Sequence, residues 1–246
     1  MDFGLEDCKV DFKEKKLCVV QTAFLLCLLL FTLSVGIQEK ERKESAARAM
    51  VFILDNGFGG NGSVYKIKPD ELVIVTTYHL LQNGNAVTVI FPDNISTEGT
   101  VTGINIEHDV GFVSVNTENI PYETLEKIAG IRTKDSVYDS LKQGDIMAYC
   151  FLSYDGKFVC MENFHGTIGD MNFYVEDFND YLIYNYCKIK PGMSGCAVVA
   201  EDGSYLGMAI GGYDNESAAL SIRVIDKVYE ELESLGKVNT FKGLRR

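Results

Sequence analysis

From Met50 onward the chain is a succession of short apolar runs, each closed by a turn signal. This rhythm restricts the fold more than any other feature of the sequence. Val51–Leu54 is followed by Asn56-Gly57, Ser63–Ile67 by Lys68-Pro69-Asp70, and Leu72–Val75 comes at once; Ala86–Phe91 ends at Pro92-Asp93-Asn94. Gly111–Val115, Ile146–Leu152, Lys157–Met161, Tyr181–Ile189, Cys196–Ala200 and Tyr205–Ile210 continue the series. Runs of this length with Gly, Asn and Asp between them predict an all-β sandwich or barrel. Two hairpins are explicit. Tyr149–Leu152 and Lys157–Met161 flank Ser153-Tyr154-Asp155-Gly156, and Ala197–Ala200 and Tyr205–Ala209 flank Glu201-Asp202-Gly203-Ser204. Asp-Gly between apolar runs marks a turn because glycine supplies the positive φ. Helical signal is confined to a turn within Pro121–Ile128 and to Arg223–Leu235. In the latter, Val224, Ile225, Val228, Leu232 and Leu235 recur at helical spacing before Gly236.

A different segment precedes this domain. Leu17–Ile37 is uncharged, with Gln21 as its one amide, and is long enough to span a bilayer as a helix. Lys13, Lys15 and Lys16 before it suit a cytoplasmic start, although Lys40, Arg42, Lys43 and Arg48 follow it. The competing reading is a cleaved signal peptide, for which Ser34-Val35-Gly36 is a mediocre site. The expected organisation is a cytoplasmic tail (1–16), a signal-anchor helix through the lipid bilayer (17–37), a charged linker (38–50), a β-domain outside the cytoplasm (51–236) and a tail (237–246).

The formal net charge is −12, and nearly all of it falls after residue 37. Nucleic acid is thereby excluded as a partner, since phosphate binding needs clustered cations. Seven cysteines are present but no C-x-x-C pair, and there are three histidines. A zinc ribbon, a thioredoxin-type site and a His-rich metal centre are all unsupported, so no metal or organic cofactor is expected. Cys150 and Cys160 fall opposite each other if the hairpin loop is Tyr154-Asp155-Gly156, as a disulfide or as two buried thiols. Cys187 and Cys196 flank a further glycine-rich loop, with their pairing open.

That loop, Lys190-Pro191-Gly192-Met193-Ser194-Gly195-Cys196, is where chemistry concentrates. Glycine on either side of Ser194 lets the backbone aim consecutive N–H groups inward, beside a hydroxyl. An α/β-hydrolase elbow needs a helix after the serine and a histidine later in the chain. Here a hairpin follows, and no histidine lies beyond Ser194. The base therefore comes from upstream. His79 ends the run Val73–Thr77 and Asp109 opens the run Val110–Val115. The order His, Asp, Ser is that of the chymotrypsin class of triads.

The same segments resemble the trypsin-like serine peptidases, and within them the bacterial HtrA-type branch. Asn61-Gly62-Ser63-Val64-Tyr65 resembles its Gly-Ser-Gly strand, Val75–Leu81 its T-x-x-H segment, and Asp109–Val113 its D-L-A-V strand. Pro191–Gly195 resembles its G-N-S-G-G loop, and Ser217–Asp226 its closing strand. The likeness runs over about residues 57–235. It implies two packed six-stranded antiparallel β-barrels with a C-terminal helix, and a site in the cleft between them. By that resemblance Ser194 is the nucleophile, His79 the base and Asp109 its orienting acid. The N–H groups of Gly192 and Ser194 form an oxyanion hole, and Ala209-Ile210-Gly211 pairs with a polypeptide substrate and lines the primary pocket. No acid is expected at the base of that pocket, and Lys188 points there or to solvent. A small or medium apolar side chain is therefore expected at the cleaved position rather than Lys or Arg.

Two departures bear on activity. Met193 replaces the usual Asp or Asn, so activation by a new N-terminal amine is not expected, and Cys196-Ala197 replaces the usual Gly-Pro. They keep a pseudoprotease acting as a peptide-binding module as the alternative to an endopeptidase. An esterase and a purely structural β-domain are further readings. No PDZ module is expected after Leu235. Three Asn-x-Ser triplets, at Asn61, Asn94 and Asn215, match the glycosylation acceptor pattern without other support.

Overall fold

A computed structural model of the chain describes residues 24–32 and 45–238. They belong to two units, Met1–Glu41 and Arg42–Arg246. In the first, residues 24–32 are helical and expose Phe24, Leu25, Leu29 and Phe31. The rest of the block expected to cross a membrane (17–37) lies outside the described residues, as do 1–16, most of the 38–50 linker and most of the 237–246 tail. Among the described residues no helix is long and apolar enough to cross a membrane.

The second unit holds two closed six-stranded barrels. The first comprises β1 (Met50–Asp55), β2 (Phe58–Lys68), β3 (Glu71–Thr77), β4 (Ala86–Ile90), β5 (Ser96–Asn105) and β6 (Val110–Asn116). The second comprises β7 (Ile146–Tyr154), β8 (Val159–Val175), β9 (Asp180–Tyr186), β10 (Ala197–Ala200), β11 (Tyr205–Tyr213) and β12 (Glu216–Ser221). Read from its own first strand, each barrel closes in the order 1-2-3-6-5-4, with every pairing antiparallel. Register shifts at Val64/Lys66, Val101/Gly103 and Ala209/Gly211 are bulges of the kind that let strands curve enough to close.

The apolar runs explain the interior. All seven residues of β3 are buried, so Leu72–Val75 reads as a continuous run rather than an alternating one. One buried cluster fills the first barrel around Val51, Leu72, Ile74, Val89 and Val113. The other fills the second barrel and continues through Phe52, Tyr65, Val73 and Phe112 of the first, so the barrels share a core at their junction. Short helices α1 (Tyr122–Leu125) and α2 (Asp135–Tyr138) lie in the connection between barrels, and α3 (Ile222–Ser234) closes the domain. Helix α3 is capped by Ser221 Oγ accepting from Arg223 N, and the chain leaves it at Gly236 (φ 72°). Its buried Tyr229 packs on Tyr65 and Phe112 of the first barrel, with ring centroids 5.0 and 5.2 Å away.

The first hairpin departs from expectation. Its ladder runs Tyr154↔Val159, Ser153↔Cys160 and Cys150↔Asn163, so Cys150 and Cys160 do not face each other and both are free thiols. The turn is Asp155–Phe158, because Asp155 Oδ1 accepts from Lys157 N (2.8 Å) and Phe158 N (2.7 Å). Those bonds also hold the Asp155 carboxyl below its ordinary pKa, the Phe158 amide contributing most. Cys187 and Cys196 are likewise free and buried. Asn61 is fully buried with its side chain engaged, so its triplet cannot accept a glycan in the folded domain.

Candidate active site

Strand β3 ends at Thr77, and the chain turns through a short 3₁₀ segment, Tyr78–Leu80, that carries His79. Facing it is the tight turn into β6. Asp109 adopts a left-handed backbone (φ 51°), which Asp tolerates better than most residues. It is tied to the His79 segment at three points. Tyr78 N donates to Asp109 O (3.0 Å), His79 N to Asp109 Oδ1 (2.9 Å) and His79 Nδ1 to Asp109 Oδ2 (2.7 Å). A carboxylate only accepts, so this pairing assigns the imidazole proton to Nδ1 and leaves Nε2 as an acceptor. Nε2 lies 3.5 Å from Thr77 Oγ1. Among the described residues no hydrogen bond joins it to Ser194 Oγ.

The loop from Lys190 to Cys196 is two overlapping turns. Pro191-Gly192 takes the central positions of the first, with Gly192 at φ 91° and Met193 N donating to Lys190 O (3.2 Å). That is the type II pattern, for which Pro and Gly are the favoured residues. Ser194-Gly195 takes the central positions of the second, with Gly195 at φ 81° and Cys196 N donating to Met193 O (3.0 Å). The Met193 side chain is fully buried, and its sulfur accepts from Lys190 N at 3.2 Å. The loop is thus held without an ionic partner for that residue. Among the described residues, the N–H groups of Gly192 and Ser194 donate no hydrogen bond to the protein. The loop is also sewn to its surroundings, since Asn61 N donates to Ser194 O and Gly195 N to Ala209 O, both at 2.8 Å. A Cβ on Gly195 would stand 1.9 Å from Asn61 O and 2.7 Å from Thr76 Oγ1. The loop therefore lies against the strand end that leads into His79.

A family model for the trypsin-like peptidase domain matches residues 60–208, a stretch containing His79, Asp109 and Ser194. The chain belongs to that family. It is 27% identical over 194 residues to the serine protease HtrA-like of Staphylococcus aureus strain MRSA252, covering 73% of this chain and 24% of that protein. The corresponding protein of the bovine strain RF122 is 26% identical over the same length. The chain thus spans about a quarter of the length of these relatives. In three dimensions it is similar to the serine endoprotease from Yersinia pestis, with a TM-score of 0.64 and 18% identity, covering 81% of this chain and 68% of that one. The fold is accordingly the chymotrypsin-like pair of barrels with a C-terminal helix.

In this trypsin-like domain the strand beside the loop is β11. Ala209 is committed to the loop through both backbone groups, since its N–H donates to Cys196 O (2.9 Å). Ile210 is the bulge residue, without a partner on β12, and pairing resumes at Gly211↔Ala218. The space a side chain would take at Gly211 is filled by the Phe178 ring, 2.8 Å from the Cβ position. Phe178 comes from the turn before β9, and Asp180, the first residue of β9, accepts from His108 Nδ1 at 2.6 Å. This pair joins the two barrels beside Asp109. Lys188 is exposed, and a Cβ at Gly212 would meet the Glu216 carbonyl oxygen at 2.5 Å and the Ile189 side chain at 3.0 Å.

A cavity of about 460 Å³ adjoins the loop, lined by residues that include Phe52, Gly59, Phe151, Tyr154 and Gly192. Lys190, at its rim, pairs with Glu162 (2.9 Å) and lies over the Phe151 and Phe164 rings. Under the loop, burial pushes the Cys150 thiol up to about 11 and the Cys196 thiol well above its ordinary value. Among the described residues no cluster of His, Cys, Asp and Glu could hold a metal ion. The loop contacts of Asn61 and the position of Phe178 are not legible in the sequence. Asn61 was visible as the polar residue where the family strand opens with glycine, but Phe178 carries no local signal.

Proposed function

We propose that the chain is a membrane-anchored serine endopeptidase working through Ser194, His79 and Asp109. The observation that carries this reading is the 2.7 Å His79–Asp109 bond, set beside a double-glycine turn that presents Ser194 with two unspent N–H groups. With Nδ1–H held by Asp109, Nε2 is free to take the Ser194 proton as Oγ attacks the scissile carbonyl. It then returns that proton to the leaving amine. Asp109 stabilises the imidazolium formed in between. The N–H groups of Gly192 and Ser194 receive the developing oxyanion, each worth roughly 3–4 kcal/mol in the transition state. The Nε2 to Ser194 Oγ bond tightens when substrate excludes water from the site, as such bonds commonly do.

The acyl side of the peptide lies along Ile210 and Gly211. Phe178 narrows that side and favours small or medium apolar residues at the cleaved position. The cavity at Gly192 receives the leaving side. Residues 17–37 anchor the chain in the membrane with the peptidase domain outside the cytoplasm. Digestion of a peptide library tests the reading. Cleavage after apolar residues, abolished by Ser194→Ala, is the expected result. A folded protein that binds peptides without cutting them would overturn it in favour of a peptide-binding module.

A further inference from the structure

One fully buried polar residue of the first barrel hydrogen-bonds to both the second barrel and the Ser194 loop. Asn61 lies on β2 with no solvent exposure. Its Oδ1 accepts from Leu152 N (2.6 Å), and its Nδ2 donates to Leu152 O (3.1 Å) and to Gly192 O (2.8 Å). Its backbone N–H donates to Ser194 O (2.8 Å), and its carbonyl accepts from Thr76 Oγ1 (2.6 Å). An amide buried this deeply persists only when its hydrogen bonds are made, and a fully satisfied network fixes a single arrangement.

The ladder explains why an amide is needed at that point. Strands β7 and β10 pair as Ala197↔Cys150, Val198↔Tyr149 and onward. Continued two residues along β7, the same register sets residue 195 opposite Leu152. The chain leaves the sheet before that point to form the Ser194 turns, which would strand both backbone groups of Leu152. The Asn61 side chain is the same chemical unit as a peptide group, and it occupies the missing place on the β7 edge. Its remaining N–H then reaches Gly192 O. The two peptide planes next to the Gly192 and Ser194 N–H groups, Gly192–Met193 and Ser194–Gly195, are therefore both held by this one residue.

We propose that Asn61 is a positioning residue, standing in for the strand β10 gives up to the Ser194 loop and holding that loop in its double-turn form. The inference deepens the peptidase reading and rests on it only for its kinetic consequence. The test is Asn61→Ala in the full chain, read in two ways. Hydrogen exchange of the Met193 and Cys196 amides, whose bonds close the two turns, is expected to accelerate at least about tenfold while β3 and β11 amides stay protected. With a short ester substrate, kcat is expected to fall about 10- to 100-fold with KM little changed, because only transition-state contacts are disturbed. Unchanged exchange at Met193 and Cys196 would overturn the proposal whether or not the wild type is active. Faster exchange with an inactive wild type would sink the peptidase reading and leave this one standing. Wild-type kcat in a folded variant with loosened turns would reduce Asn61 to a structural part. Should Asn61→Ala fail to fold, the wild-type NMR spectrum decides. Two resolved, slowly exchanging Asn61 side-chain amide protons support the proposal, and a rapidly exchanging amide refutes it.

Discussion

Asp109 and the two loop glycines show how much of the site is backbone geometry. Asp109 spends its carboxylate on the His79 ring and the His79 amide at once, so Asp109→Ala removes the restraint on the imidazole and its tautomer together. The expected loss is on the order of 10⁴ in kcat on a chromogenic ester, with little change in KM. Gly192 and Gly195 both take positive φ, but their surroundings differ. A Cβ at Gly192 meets nothing within 4 Å, whereas at Gly195 it would strike the Asn61 carbonyl at 1.9 Å. Gly192→Ala is accordingly expected to cost about 1 kcal/mol of backbone strain. Gly195→Ala should cost at least about 3 kcal/mol, because backbone must move. Urea denaturation midpoints should rank wild type, Gly192→Ala, Gly195→Ala in falling order. The reverse order of the two variants would contradict the loop geometry.

At the scale of elements, what the sequence disclosed depended on how each strand buries itself. Strands β1, β3, β6 and β10 bury side chains on nearly every residue, and each was visible as an apolar run. Strand β5 was not visible, because it reaches the core partly through glycine. Gly99 lies against Val113 and Val89, and Gly103 against Val238 and Leu232, both too close for a side chain. Strand β8 was read only at its start because most of its seventeen residues are partly or wholly exposed. The candidate triad residues were legible because His79 and Asp109 flank readable strands and Ser194 lies between two glycines. The cross-barrel role of Asn61 was not, since the Leu152 register that requires it exists only after both barrels form. The revised hairpin register yields its own expectation. Iodoacetamide at pH 8 should alkylate exposed Cys160 and spare buried Cys150 and Cys196, whose thiols burial holds protonated. Peptide mass mapping reads the outcome, and modification of Cys196 in folded protein would contradict the packing under the loop.

For the whole molecule, buried thiols and phenols of the second barrel contribute an alkaline pH dependence. Burial raises the Cys150 thiol from an ordinary value near 9 to about 11, and it also raises Cys196, Tyr149 and Tyr205. These groups stay protonated when folded, so the stability they contribute is fully present below their unfolded values, near 9 for the thiols and near 10 for the tyrosines. For Cys150 it is lost as pH rises through about 11. Unfolding free energy from urea titrations should hold steady up to about pH 9 and then decline by about 1.4 kcal/mol per pH unit for each thiol, with each tyrosine adding its own decline above about pH 10. A flat profile to pH 11 would contradict the burial of these groups. Whether Ser194, His79 and Asp109 work as one unit is read by covalent capture. The folded protein is treated with a fluorophosphonate, and the adduct is located by peptide mass spectrometry. One adduct is expected, on Ser194, lost in Ser194→Ala and strongly slowed in His79→Ala. A folded protein that takes no adduct at Ser194, or takes it equally well without His79, would contradict a working triad.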